Sequence, residues 1–464
     1  MNPLLDAALD SAVAEMDLRP TRALTPDPLA LLRERVVSAI EGVRFYADIY
    51  RPFGPPPADP GEFAAWYAGL PVVSRADFED VSDEDRVNRA YAGEPLVRKQ
   101  TSGSTGVPFV IFIEERVASF RSWRFRRPHF DAGETSPLSL EFLFPERFRR
   151  DRQVRVVADD TAAAVPERKT RTEKSYSTLT DALKSAEPMY EELAGKTPAT
   201  LVGYASSIVR LADWMGSEGK MLPSVKRIWT TSEMLTPEGR DAIRAAFGFE
   251  PREAYASVEF GFMGWQAAPA GPFSLEIDRL IFEGVGVASL DTSANGDVSR
   301  VIVSDLLNDT TPLLRYDIGD LATMGTPMPF AASCYGSIEE LRGKSNDSIC
   351  DAAGRRIEPF ALLGCLKETL GAAQYRLICV ERGLLVLQYR PARNAAIRID
   401  AVLDGLRGIV GEPIRIVAQE VPAIKRENSG KLRPIIDLST IRGEGRQRLL
   451  SDLHLTELPS LAAS

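Results

Sequence analysis

Apolar residues recur at helical spacing between Leu4 and about Asp48, with Leu29, Leu32, Val36, Ile40 and Val43 on one stripe. The proline-rich run PFGPPPADPG then breaks the pattern, because proline fixes φ and removes a donor. LPVVSRADFED, from Leu70 to Asp80, reads as a short extended piece leading through Ser74 into a helix start. Between Gln100 and about Leu341, β-branched runs alternate with helical ones: FVIFI, LVGY, RIWTTSE, the helical PEGRDAIRAAFG, and REAYASVE. That alternation predicts an α/β organisation with a mainly parallel core. From Gly343 the pattern changes. YRLICVERGLLVLQYRP predicts two strands around a turn at Glu381 to Gly383, then a helix over Ile397 to Leu406 and a strand at IRIVAQEV. The expected division is a large domain over 1–343 and a small, mobile C-terminal α+β domain over 344–464, with the boundary near Lys344 to Asp347.

Length agrees with two domains, since 464 residues exceed what one hydrophobic core supports. The net charge of −9 argues against a chain that wraps nucleic acid or lies on anionic membranes. Two basic clusters, Arg121 to Arg127 and Arg147 to Arg155, are expected to be solvated faces. Cys334, Cys350, Cys365 and Cys379 include no C-x-x-C pair, so neither a zinc site nor a disulfide framework is indicated, and a reducing cytoplasm fits. The N-terminus lacks a signal-like pattern, and no run of about 18 apolar residues occurs, so no membrane span is expected.

Candidate chemistry begins with QTSGSTGVPF, Gln100 to Phe109. Backbone amides in a glycine-rich turn form an anion-binding nest, and serine and threonine hydroxyls add donors for phosphate oxygens. A serine-glycine surface turn has the same composition, so the loop alone decides nothing. A Walker loop is excluded: Gly343-Lys344-Ser345 supplies its ending, but Ile338 stands where the first glycine is required. A serine hydrolase lacks its G-x-S-x-G elbow, and only His129 and His454 could act as base. Three further stretches bear on the loop. RIWTTSEMLTPEGR ends a strand at Ser232-Glu233 and starts a helix at Pro237; AYASVEFG sets Tyr255 and Glu259 four apart; RYDIGDLA puts Asp317 and Asp320 in a glycine-containing turn. A carboxylate pair there suits hydroxyls or magnesium. Near the C-terminus, Lys431 follows a Ser-Gly turn in KRENSGKLRPIID.

In this order, TSGSTG, TTSEMLTPE, YASVE, RYDIGD, RGKSND and SGKLRP, the motifs resemble the adenylate-forming superfamily of acyl-CoA synthetases, peptide-synthetase adenylation domains and luciferases. LPVVSRADF and the short length make the chain most similar to the phenylacetate-CoA ligase group, over about Phe45 to Asp437. The resemblance implies an ATP-dependent, AMP-forming carboxylate ligase whose large domain binds ATP and a small-molecule carboxylic acid, with Mg2+, and whose small domain rotates between two half-reactions. It implies that Thr101, Ser102, Gly103, Ser104, Thr105 and Gly106 cradle phosphates, and that Ser232 and Glu233 border the adenine with Tyr255 stacked near it. Ala256 and Ser257 adjoin that nucleotide site, Glu259 binds magnesium, and Asp320 holds the ribose hydroxyls with Lys344 beside it. Lys431 bridges the acyl carboxylate and the α-phosphate, Asn346 is the hinge, and Gly354 lies on the loop that enters for thioester formation. Tyr204, Trp229 and Phe260 are the expected acyl-pocket residues, with an aromatic or arylacetic acid as the substrate. Homodimers are common in the group, which sets that expectation here.

The chain departs from the pattern at four positions. Val107 replaces a lysine in the phosphate loop, Val258 replaces a hydroxyl residue before the metal-binding glutamate, Lys344 replaces an arginine, and Asn346 replaces the hinge aspartate. Coenzyme A is the expected acceptor of the acyl group. An amine, a hydroxyl or a carrier-protein thiol is the alternative, and a degenerate nucleotide-binding homologue without catalysis is a second.

Overall fold

A computed structural model describes residues 27–78, 81–101, 109–126, 140–144, 152–155, 163–164, 178–181, 184–286, 298–328, 334–344, 349–350, 356–357, 362, 365–366, 374–391, 398–411, 413–422, 424, 434–439, 443–453 and 455. Helices α1 (Pro28–Gly42) and α2 (Arg44–Tyr50) bury the predicted apolar stripe, including Leu32, Val36 and Val43. The proline-rich run does not only break structure. It opens α3 (Pro60–Ala68), because the Asp59 carboxylate accepts from the Gly61 and Glu62 amides and Pro60 takes the first helical turn, where its missing N–H costs nothing. Val73–Ser74 then forms the short expected strand, followed by a 3-10 turn at Arg75–Phe78. Phe78 packs on Phe109 and Tyr316 at 5.6 and 6.3 Å, within one large core cluster.

The strands Pro95–Gln100 and Val110–Ile113 pair antiparallel, with Gln100 opposite Val110, so the glycine-rich segment is the loop of a hairpin. Helix α4 (Glu115–Arg126) follows directly.

The main sheet contains β1 (Leu140–Phe144), β2 (Thr178–Asp181), β3 (Thr200–Tyr204), β4 (Arg227–Thr231), β5 (Arg252–Ser257), β6 (Gly261–Gln266), β7 (Phe273–Leu275), β8 (Leu280–Gly286), β9 (Val298–Asp305), β10 (Tyr316–Met324) and β11 (Ser337–Lys344). Their order is β8-β9-β10-β11-β7-β6-β5-β4-β3-β1-β2, with Val73–Ser74 parallel to β10. Strands β1 to β5 are mutually parallel, as expected. From β5 to β8 along that order the pairings are antiparallel, Val73–Ser74 on β10 being the parallel exception, which corrects the expectation of a mainly parallel core. Most strands from Gly261 to Lys344 pair antiparallel with a neighbour in sequence, which needs no crossover helix. Helices α5 (Ala186–Lys196), α6 (Ala205–Glu218) and α7 (Pro237–Phe247) cover one face of the parallel half through Leu193, Ile208, Leu211, Met215 and Ile243.

Beyond Lys344, β12 (Gln374–Glu381), β13 (Leu384–Arg390), α8 (Ile399–Val410), β14 (Arg415–Glu420) and β15 (Ile435–Asp437) build a separate four-stranded sheet ordered β14-β13-β12-β15. Two core clusters serve this segment, and all their members lie at or beyond Ile349. Among the described residues no helix is long and apolar enough to cross a membrane.

Candidate active site

The parallel strands run in the order β2-β1-β3-β4-β5, so the chain reverses its direction of growth between β1 and β3. In such sheets ligands bind outside the carboxyl ends of the strands, at the point of reversal. That edge carries Tyr204 at the end of β3, Ser232 and Glu233 after β4, and Ser257 to Glu259 after β5, most of the positions singled out by the motifs.

Each residue there has a local reason for its place. Thr101 accepts a hydrogen bond from the Phe109 amide on Oγ1 and donates its own amide to the Phe109 carbonyl, both at 2.9 Å. This clasp closes the base of the hairpin loop. Ser232 has φ of 67°, an uncommon conformation for a residue with a side chain, and it turns the chain over the sheet edge. Glu233 accepts the Ser206 amide at 2.8 Å, so its carboxylate stands at the N-terminus of α6, which has no cap from Tyr204. Thr236 caps α7 by accepting from Gly239 at 3.1 Å. The Ser257 hydroxyl accepts from the Phe260 amide at 3.0 Å and shapes the turn that carries Glu259. Ala256 sits opposite Phe262 beside a register shift.

Tyr255 is buried, with its ring edge-on to Phe273 at 6.3 Å. Its hydroxyl donates to Asp320 Oδ2 at 2.7 Å, and Lys344 Nζ donates to Asp320 Oδ1 at 2.7 Å. Burial first, then the adjoining Asp320 and Glu259 carboxylates, push the Tyr255 phenol well above its usual range. Of the two acids, Asp320 is the one hydrogen-bonded to the phenol. Asp317 and Asp320 lie on β10 rather than in a turn: Gly319, with φ of 76°, puts an irregularity within a continuous strand. Asp317 accepts from Gly319 N and Arg300 Nη1, both at 2.8 Å, which gives it a structural task. Glu259 is half-buried and carries no ion pair among the described residues.

The expected acyl-pocket residues separate. Trp229 is buried beside Val202, Ala254 and Phe262 on the sheet face opposite α6 and α7, with Phe125 and Trp265 packed against that cluster. Tyr204, two positions after Val202 on β3, shares that face. Phe260 instead points into the larger core, 5.9 Å from Tyr316. Ser102, Gly103, Ser104, Thr105, Gly106, Asn346, Gly354 and Lys431 lie outside the described residues.

The expectation of a solvated basic face at Arg121 to Arg127 fails at two positions. Arg121 and Arg124 are buried: Arg121 pairs with Asp305, and Arg124 pairs with Glu276 at 2.6 Å and Asp278 at 2.8 Å. Their partners are too distant in sequence for a local charge pattern to reveal.

Among the described residues no group of three or more histidine, cysteine or acidic side chains could hold a metal ion. No family model matches the chain. It is 30% identical to Protein CapK of Staphylococcus aureus over 152 residues, covering 32% of this chain and 32% of that protein. The chain thus spans about a third of the curated relative it matches. Among solved structures it is similar to 2-hydroxyisobutyryl-CoA ligase in the postadenylation state with R3-HIB-AMP, with TM-score 0.66 and 16% identity over 95% of this chain and 94% of that one. The same ligase with 2-HIB-AMP gives TM-score 0.65 and 17% identity over the same shares. With 2-HIB-AMP and CoA in the thioesterification state it gives TM-score 0.54, again at 17% identity over 95% and 94%. This likeness establishes that the chain has the fold of that acyl-CoA ligase.

Proposed function

We propose that the chain uses ATP to activate a carboxylic acid as acyl-AMP and then passes the acyl group to coenzyme A. The observation that carries this reading is the Asp320 carboxylate clamped by the Tyr255 hydroxyl and Lys344, together with a half-buried Glu259 that carries no ion pair among the described residues. A clamped carboxylate suits paired ribose hydroxyls, which donate to it. A single half-buried acid suits magnesium, which keeps much of its water and is shared between one or two carboxylates and substrate phosphates. When bound, that ion would neutralise charge on the phosphates; Glu259 is the residue that would hold it.

In the first half-reaction a substrate carboxylate oxygen attacks the α-phosphorus and pyrophosphate leaves. Catalysis is then mainly alignment and charge stabilisation. The Thr101–Phe109 clasp supports a loop whose amides and hydroxyls, from Ser102 to Gly106, grip the leaving phosphates without a lysine at Val107. Lys431 bridges the two reacting anions. In the second half-reaction a thiol attacks the acyl carbonyl carbon, the bond to AMP breaks, and the thiol proton passes to solvent. Residues 1–343 form the nucleotide- and acid-binding domain, and 344–464 form the small domain that turns about Asn346. The aromatic face of Trp229, Phe262 and Trp265 below Tyr204 favours an aryl or arylacetic acid.

The test is AMP release measured over a panel of aryl, arylacetic and short aliphatic acids, with and without coenzyme A. The reading predicts turnover that needs an acid and rises with coenzyme A as a thioester accumulates. Acid-dependent AMP release without stimulation by coenzyme A points to another acceptor. No acid-dependent release from the panel contradicts the activity.

A further inference from the structure

Behind the Glu259 turn lies a buried ionic cluster built from three elements. It comprises Arg121 and Arg124 from α4, Glu276, Asp278 and Arg279 from the β7–β8 connection, and Asp305 at the end of β9. Three cations face three acids. Replacing a buried ion cluster by apolar side chains of similar volume is often neutral or stabilising, so stability alone is a weak reason for such a cluster.

Its contacts point to another reason. Arg121 Nη1 donates to the Glu259 carbonyl at 2.9 Å while Nη2 pairs with Asp305. Arg279 Nη1 donates to the next carbonyl, that of Phe260, at 3.0 Å. The Phe260 amide is already held by Ser257. Gly261 follows with φ of 71°, and a Cβ there would lie 3.3 Å from the Arg121 stem. The backbone of the turn is therefore fixed by two arginines, while Glu259 itself stays half-buried. Asp305 in turn accepts from Leu307 at 2.8 Å, so Arg121 is itself braced.

We propose that Arg121 is a positioning residue for Glu259, referencing the metal-binding acid to α4, the helix that follows the hairpin of the glycine-rich loop. This rests on the reading of Glu259 as the magnesium ligand. Because only Glu114 separates α4 from Val110–Ile113, the strand leaving that loop, the phosphate grip and the metal acid share one support. Arginine is required because one planar fork reaches the Glu259 carbonyl and Asp305 together; lysine presents a single ammonium.

The test measures Mn2+ binding by electron paramagnetic resonance with α,β-methylene-ATP present, using Arg121→Lys, Arg124→Lys and Glu259→Gln. Arg124 belongs to the same buried cluster and pairs with Glu276 and Asp278, so Arg124→Lys is the comparison for a general weakening of the cluster. Arg121→Lys is expected to weaken Mn2+ binding about tenfold, the scale of groups that orient a metal ligand. Arg124→Lys is expected to leave it unchanged at a similar loss of thermal stability. Unchanged binding in Arg121→Lys, or an equal loss in Arg124→Lys, overturns the proposal. If Glu259→Gln weakens binding and Arg121→Lys does not, only the positioning role falls. If Glu259→Gln binds Mn2+ normally, the metal assignment falls with it. Should Arg121→Lys not fold, Asp305→Asn, which removes the charge that Arg121 Nη2 pairs with, is read by the same criteria.

Discussion

Replacing Tyr255 by phenylalanine isolates one hydrogen bond at the site. The ring stays packed against Phe273, so no cavity opens, and only the 2.7 Å bond to Asp320 Oδ2 is lost. A hydrogen bond to a charged group contributes about 1.5–3 kcal/mol. The Asp320 side chain is 13% exposed, so water partly resolvates the freed oxygen and the lower end applies. The other constraint, Lys344, is 50% exposed and contributes less. A loss of about 1.5 kcal/mol corresponds to roughly tenfold weaker ATP binding. Binding is measured by titration calorimetry with ATP and with 2′,3′-dideoxy-ATP, which lacks the hydroxyls that Asp320 is proposed to hold. ATP should bind about tenfold less tightly to Tyr255→Phe. Dideoxy-ATP should bind the variant and the parent alike. Equal losses for both nucleotides, or no loss for ATP, would refute the role of Asp320.

Thr105→Ala removes a hydroxyl from a loop that lacks the customary lysine, and should lower pyrophosphate exchange at limiting ATP by about 100-fold. Thr236→Ala removes the α7 cap at 3.1 Å and should cost about 1 kcal/mol, read as a lower urea midpoint at unchanged slope. Burial raises the Glu192 carboxyl, but hydrogen bonds from Lys184 and Lys196 outweigh it and lower its pKa from 4.5 to about 2. Its folded pKa lies below the unfolded one, so its stabilisation is present above about pH 4.5 and fades as pH falls towards 2. Glu192→Gln should flatten the urea midpoint against pH across that window; an unchanged slope would remove this carboxylate as a source of acid sensitivity.

In the parallel half LVGY and RIWTT were legible because they are short, β-branched and buried at all but Arg227, whereas Leu140–Phe144 and Thr178–Asp181 were not singled out. The antiparallel half was not, since strands such as Tyr316–Met324 mix buried and half-buried positions and contain a glycine that mimics a turn. Helix Pro60–Ala68 was hidden by prolines whose capping role depends on Asp59. Motif order singled out Ser232, Glu233, Tyr255, Glu259 and Asp320 but gave none of their partners. Glu233 at a helix start and the Tyr255–Asp320 bond come from tertiary packing. Arg121 was read as a surface charge because its partners, Glu259 and Asp305, lie 138 and 184 residues away. Local charge pattern carries no trace of such contacts.

Acid activation at the α-phosphate of ATP is read out by exchange of labelled pyrophosphate into ATP. Exchange by the parent protein should require both a carboxylic acid and Mg2+. It should fall about 100-fold or more in Lys431→Ala while the protein remains folded. Exchange that proceeds without any acid, or is undiminished in Lys431→Ala, would contradict that activation.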